Sequence, residues 1–320
     1  MIEYRAFQNL DPPQILRLWE ECDLGRGAAR GFAVDALELL VLGQSYFDPR
    51  GLIVAHEGQR LVGFVHAGFE CVATGEGLDR TSGVLCAIMV HPEFRRRGIG
   101  RSLLARADEY LRNSGATRIT AGGVNPTGPF YLGIYGGSGL PGFLESDPLA
   151  APFFGSQGYQ PVERRFVFLR DITQKNDPVD FKLMALRRNT QLVISDQPAE
   201  INWCWASRYG RFDMFRFLLQ PKVKGPPVAE VSGYGMDLYL STRHERIVGL
   251  AGFIVTETNR RKGYGKLLLL DIFRRLREEL VTRVEIHAPE GNLALIGLLK
   301  LLNFEQVDTG VVYRKGELSG

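Results

Sequence analysis

Paired cysteines are missing from this sequence. Cys22, Cys71, Cys86 and Cys204 stand far apart in 320 residues, with no CxxC and no His/Cys spacing suited to zinc. Neither a metal knuckle nor a disulfide framework is indicated, and a reducing compartment is the expectation. An excess of one charge is missing too: 39 basic against 36 acidic residues give a net charge of +3. That excludes a broad nucleic-acid surface and leaves room for a local anion site. Long apolar runs are absent, since "GLAGFIV" and "LLLL" fall well short of the roughly 18 residues of a membrane span. The N-terminus carries Glu3 and Arg5 where a signal peptide needs an apolar stretch. A soluble cytoplasmic protein is expected, with no membrane, nucleic-acid or metal partner. What is present is 45% apolar residues, enough for two cores in a chain longer than one core usually serves.

"IEYRAF" alternates as a strand does, and "DPPQILRLWEEC" follows as a helix with Asp11 at its N-cap. "GLIVAHEGQRLVGFVHAGFE" reads as two strands about a turn at Glu57-Gly58-Gln59, and "GVLCAIMV" as a central strand. "FRRRGIGRSL" comes next. The helix after it puts Leu103, Leu104, Ala107, Tyr110 and Leu111 on one face and Arg101, Arg106, Asp108 and Arg112 on the other. "RITAGG" is the next strand. A shift of 165 residues repeats the unit, aligning Leu85 with Leu250, Val90 with Val255, Arg95 with Arg260, Gly98 with Gly263, Gly100 with Gly265 and Leu111 with Leu276. The repeat is too long for a solenoid, so each copy is expected to be a domain. Residues 1–172 and 180–320 are the expected units, with the boundary in the polar stretch "RDITQKNDPVD".

A helix start leaves backbone N–H groups unpaired and attracts anions. Glycines at 98 and 100 let a phosphate approach those amides, with Arg95, Arg96, Arg97, Ile99, Arg101 and Ser102 around it. A dinucleotide fingerprint needs a glycine where Leu103 stands, and a nucleotide-triphosphate loop needs GK[ST] where the chain has "GIGRS" and "GYGKL". Neither nucleotide class fits.

R-x-x-G-x-G between a central strand and a helix, with "VHPEFRRRGIGRSLL" around it, resembles the acetyl-CoA pyrophosphate loop of the GNAT superfamily of N-acetyltransferases. The resemblance implies an α/β (α+β) fold: two tandem GNAT-like domains, each a mixed, mostly antiparallel twisted sheet flanked by helices. It implies acetyl-CoA as co-substrate and direct attack on its thioester by a primary amine of a small molecule or peptide. Backbone N–H groups near Met89 and Val90 would meet the thioester oxygen. The family's asparagine after the next strand falls on Asn125 and Asn292, and its Gly-Phe pair on Gly158-Tyr159 and Asn303-Phe304. In the second copy the implied co-substrate residues are Val255, Arg260, Arg261, Lys262, Gly263, Tyr264, Gly265 and Lys266.

Two departures qualify this. The family's acidic tyrosine falls on Phe154 and Leu299, neither of which donates a proton. The first copy also carries an insertion, "PTGPFYLGIYGGSGLPGFLESD" at 126–147, expected to border a substrate site. Its Tyr131 and Tyr135 are candidate replacement acids, and Glu70 and His91 candidate bases. His66 shares a strand face with Glu70. The second copy looks degenerate before its central strand: "MDLYLS" is the clear strand there, and "NWCWASRYGRFDMFRFLL" reads as a core helix. The alternative to an enzyme is a non-catalytic acyl-CoA-binding or sensing protein.

Overall fold

The computed structural model describes residues 1–174, 177, 181–198 and 201–316; the expected boundary at 172–180 lies partly outside them. The first repeat runs β1 (Ile2–Ala6), α1 (Pro12–Glu21), a turn at Gly25–Gly27, α2 (Val34–Leu37), β2 (Leu52–Glu57), β3 (Arg60–Cys71), β4 (Leu78–Val90), α3 (Ile99–Asn113), β5 (Arg118–Ala121), β6 (Phe143–Leu144), α4 (Ala150–Ser156) and β7 (Tyr159–Asp171). The second runs α5 (Phe181–Asn189), β8 (Thr190–Ser195), α6 (Trp203–Tyr209), β9 (Phe215–Pro221), β10 (Ala229–Gly235), α7 (Leu240–Arg243), β11 (Ile247–Val255), α8 (Tyr264–Glu278), β12 (Arg283–Pro289), α9 (Leu293–Leu301) and β13 (Glu305–Lys315).

Local chemistry explains most of these starts. Prolines 12 and 13 open α1, where a missing N–H costs nothing, and Ile15, Leu18 and Trp19 bury its inner face. Asp11 does not cap that helix with its side chain. It takes a bidentate bond from Arg5 at 2.6 and 2.7 Å and the Gln8 N–H at 2.7 Å instead. The second repeat is less degenerate than its sequence promised: β8 to β11 form four antiparallel neighbours. "MDLYLS" is helical, over Asp237–Tyr239 and α7. β10 escaped detection because Ser232, Gly233 and Gly235 break its apolar alternation.

The 13 strands form one sheet among the described residues, in the order β1-β2-β3-β4-β5-β13-β7-β12-β11-β10-β9-β8, with β6 also on β13. The order is symmetrical about the β13–β7 pair. The last strand of each repeat lies beside the other repeat's strand: β13 pairs with β5 and β7 with β12. This exchange also buries Asp108, expected on the outer face of α3. The Tyr159 hydroxyl donates to it at 2.9 Å and the Lys315 ammonium of β13 reaches its other oxygen.

Helices α3 and α4 cover one sheet face in the first half, and α8 and α9 the same face in the second, each over its own core. A third core on the opposite face belongs to both halves. It joins Trp19, Leu37, Phe64 and Met89 to Tyr209, Tyr234, Tyr239 and Ile247 through the insertion's Phe130, Tyr131, Leu132, Ile134 and Leu140. The insertion is thus a buried seam rather than a rim. Cys71 and Cys204 are joined as a disulfide across that seam, 133 residues apart in sequence. This corrects the expectation of unpaired cysteines and removes the ground for inferring a reducing compartment. No helix among the described residues is long and apolar enough to cross a membrane.

Candidate active site

Two loops of the same shape follow β4 and β11. Arg96 and Gly98 have φ of +64° and +81°, and Arg261 and Gly263 have +60° and +96°. Arg95 Nε donates to the Val90 carbonyl at 2.9 Å, and Arg260 Nε to that of Val255 at 3.3 Å, tying each loop to its strand end. Helices α3 and α8 then start without a side-chain cap, which leaves the N–H groups of Ile99 and Gly100, and of Tyr264 and Gly265, at the open helix ends. Positive φ followed by free amides is an anion cradle. Arg96, Arg97 and Arg101 are exposed around the first, with Ser102 half-buried, and Arg261 and Lys262 are exposed around the second. Arg97 also rests on the Phe94 ring, 4.9 Å from its centroid.

The cradles differ in their cover. A Cβ on Gly98 would meet nothing within 4 Å, whereas one on Gly263 would meet Leu186 at 3.3 Å and Leu183 at 3.6 Å, both from α5. Gly100 is glycine because Phe153 of α4 lies 3.1 Å from where its Cβ would be; at Gly265 the neighbours are Phe253 at 3.1 Å and Leu298 at 3.2 Å.

Beside each cradle the sheet splits. Parallel pairing of β4 with β5 runs from Ser82↔Arg118 to Leu85↔Ala121, and of β11 with β12 from Ile247↔Arg283 to Leu250↔Ile286. Beyond that the strands part, because an extra residue in β4 at Cys86 and one in β11 beside Gly252 re-aim the strand ends. His91 N–H bonds Val62 at 2.9 Å, so His91 and Met89 turn their amides to β3. Ile88 and Val90 therefore turn theirs into the split. Of the two residues expected near a thioester, Val90 has that direction and Met89 does not; Ile88, which the sequence reading missed, does.

The face of the first split away from α3 is closed by the insertion and the Gly25–Gly27 turn. Cys22 Sγ lies 3.7 Å from the Val90 carbonyl oxygen. Burial pushes that thiol up to about 11, and the Asp147 carboxylate adds to the shift. Asp147 also acts on Tyr135, whose phenol is raised first of all by burial. Cys22 thus lies against the Val90 end of the split, and the Asp147 charge acts on both Cys22 and Tyr135. The Tyr135 hydroxyl accepts the Leu144 N–H at 3.2 Å, which leaves its own proton to give.

The other candidates lie elsewhere. Tyr131 is buried against Trp19, its hydroxyl 3.0 Å from His66 Nδ1; burial holds His66 down at about 3, hence neutral. His91 shapes the turn after β4, with Glu93 N–H on Nδ1 at 3.2 Å and Arg60 2.8 Å from Nε2. Glu70 pairs across the sheet with Asp79, at the far end of β4 from the split. Its carboxyl, raised by burial, faces Arg118 at 3.6 Å. Phe154 is fully buried among Phe143, Tyr159 and Tyr313. Asn125 receives the Leu140 N–H at 3.3 Å and so braces the insertion, while Asn292 caps α9 through the Leu295 N–H at 3.1 Å.

The model of the Acetyltransferase (GNAT) family matches the chain twice, at residues 13–132 and 190–304. The chain belongs to the GNAT family. Two acetyltransferases are similar over 118 residues, or 37% of this chain: plu1384 of Photorhabdus laumondii, 31% identical with 72% of its length covered, and YE1169 of Yersinia enterocolitica, 29% identical with 73% covered. Among solved structures, a tandem GNAT protein from the clavulanic acid biosynthesis pathway superposes over 98% of both chains, with TM-score 0.67 and 20% identity. A glucosamine N-acetyltransferase region of a fungal GH3 β-N-acetylglucosaminidase superposes over 98% of this chain and 38% of that one, with TM-score 0.73 and 18% identity. At these identities the two structures speak for the fold. This GNAT protein is an N-acetyltransferase of the tandem kind, and the family's co-substrate is acetyl-CoA.

Proposed function

We propose that the first repeat transfers the acetyl group of acetyl-CoA to a primary amine, and that the second repeat does not transfer. The observation behind this division is the cover of the cradles: Gly98 is open, and Gly263 lies under Leu183 and Leu186. The amides at Ile99 and Gly100, with Arg96, Arg97 and Arg101, would receive the pyrophosphate, so that binding far from the reacting bond positions it. Acetyl-CoA supplies the activated acyl group. Ile88 and Val90 offer N–H groups to the thioester oxygen as charge develops there, an oxyanion stabilisation that needs no side chain.

The amine arrives on the side of Cys22, Tyr135 and Asp147. Its nitrogen forms a bond to the acetyl carbon as the C–S bond breaks. Asp147 accepts the amine proton, directly or through a water, and Tyr135 can protonate the departing thiolate. A thiol of ordinary pKa, near about 8.5, also leaves unaided as thiolate, so the loss of the family tyrosine at Phe154 slows transfer without abolishing it.

The test is CoA release from acetyl-CoA with glucosamine, spermidine, lysine and a tripeptide with a free N-terminus. Release above the rate in water alone is expected with at least one of them. Tight acetyl-CoA binding with no amine-dependent release would return the protein to the class of acyl-CoA-binding proteins.

A further inference from the structure

At the centre of the shared seam is a carboxylate that no transfer step above uses. Glu285 of β12 is fully buried and on the seam side of the sheet. One of its oxygens accepts the Ser138 N–H of the insertion at 2.7 Å and lies 3.4 Å from His287 Nε2. The other accepts Arg243 Nη1 at 2.6 Å and lies 3.9 Å from Arg26 Nη2. Arg243 spends its second nitrogen on the Arg26 carbonyl at 3.1 Å, and its guanidinium lies over the Tyr239 ring. The Tyr239 hydroxyl accepts the Gly137 N–H at 3.0 Å and donates to the Gly27 carbonyl at 3.3 Å.

Apart from the contacts of Glu285 with Arg243 and His287, which stay within the second repeat, these bonds end on two segments of the first, the turn around Gly25–Gly27 and the tip Gly136–Ser138. The two segments are stitched to each other as well, by Gly136 N–H to Gly27 at 2.7 Å and Ala29 N–H to Ile134 at 2.8 Å. They carry Tyr135 and hold Trp19, whose indole N–H bonds the Ala29 carbonyl at 2.8 Å. Trp19 and Cys22 sit on the last turns of α1, and Cys22 reaches Val90. The duplication does not account for Glu285: its counterpart in the first repeat is Thr120, which donates weakly to the Gly83 carbonyl at 3.4 Å.

We propose that Glu285, with Arg243 and Tyr239, is a positioning residue for transfer at the first split: the second repeat serves as a clamp that fixes the wall the acceptor amine meets. The proposal rests on the reading that transfer occurs at that split. A buried carboxylate is retained only with partners of opposite charge and good hydrogen bonds, and here Ser138 and Arg26 belong to the two segments themselves, while Arg243 bonds the Arg26 carbonyl.

The test is Glu285→Gln, which keeps the shape and an acceptor for Ser138 but loses the charge that holds Arg243. Amide hydrogen exchange is followed in the full chain at 26–29 and 134–138, alongside acetyl-CoA calorimetry and amine kinetics with the panel member wild type uses fastest. Exchange in both segments is expected to rise about tenfold or more. Acetyl-CoA affinity stays within about twofold, while kcat/KM for the amine falls about tenfold to a hundredfold, the range that an ångström of misplacement produces. Unchanged exchange overturns the clamp. Raised exchange with unchanged amine kinetics leaves a network that only holds the fold and overturns the positioning role. Arg243→Lys and Tyr239→Phe are read by the same criteria if Glu285→Gln does not fold. An inert wild type would instead sink the transfer reading, an outcome separable from an active wild type with an unaffected variant.

Discussion

Replacing Gly98 by valine separates the two repeats most directly. The residue has φ of +81° and open space where a Cβ would go, so the free protein meets no clash and the cost is conformational. An L-residue forced into the left-handed region loses about 1–2 kcal/mol, somewhat more when β-branched, against a typical stability of about 5–15 kcal/mol. The variant should fold. The added methyl groups, however, stand in the cradle beside the first free amides of α3. Each charge-assisted bond denied to the pyrophosphate removes about 1.5–3 kcal/mol, or about 10- to 150-fold in affinity per bond. Calorimetry should show acetyl-CoA affinity falling at least about tenfold, with transfer lost in parallel. Gly263→Val, whose Cβ already meets Leu186 at 3.3 Å, should lower stability more and leave transfer intact. Wild-type affinity in Gly98→Val, or loss of transfer in Gly263→Val alone, would refute the assignment of the first loop as the working cradle.

Two further outcomes are expected. Burial alone would push Glu285 up, but Arg243, His287 and the Ser138 N–H hold its carboxyl at about 2, against the ordinary 4.5. A depressed carboxyl stabilises the fold fully above the unfolded value and loses that contribution as pH falls toward the folded one. Thermal melts should therefore show a component of at most about 3 kcal/mol disappearing between roughly pH 4.5 and 2. Glu285→Gln should lack that component; an identical acid profile in the variant would contradict it. For Cys71–Cys204, which closes a loop of 133 residues, chain entropy gives about 4–5 kcal/mol of stabilisation. Thiol titration of the unreduced, denatured protein should find two reactive thiols, Cys22 and Cys86, and four after reduction; four before reduction would mean that the bridge does not form.

The loops were legible because their signals are local. Arginine, glycine and a following amphipathic helix specify strand end, positive φ and helix start within a dozen residues, and the same letters recur in the second copy. The central strands and α1 were legible from apolar spacing for the same reason. Partners that arrive from the other repeat were not. Asp108 reads as a surface residue until Lys315 is placed beside it, and Cys71 carries no mark of Cys204. Glu285 occupies an ordinary alternating place in "RVEIHAP", where nothing says that the face it points to is covered by a loop from the other half. The tyrosines show the limit most clearly: the insertion offered both Tyr131 and Tyr135, but only packing separates one locked on His66 from one bonded to the Leu144 N–H.

The exchange of β7 and β13 has a consequence for how this chain is made. The first repeat leaves the ribosome with a gap beside β5, and the strand that fills it, β13, is the last element of the second repeat to be made. The N-terminal half must wait, with an unfilled sheet edge open to other chains, until the whole second repeat has been made. A gene cut between the two copies would therefore not yield two working halves. Each product would carry a strand shaped for the other, and the pair would recover their sheet only by finding one another.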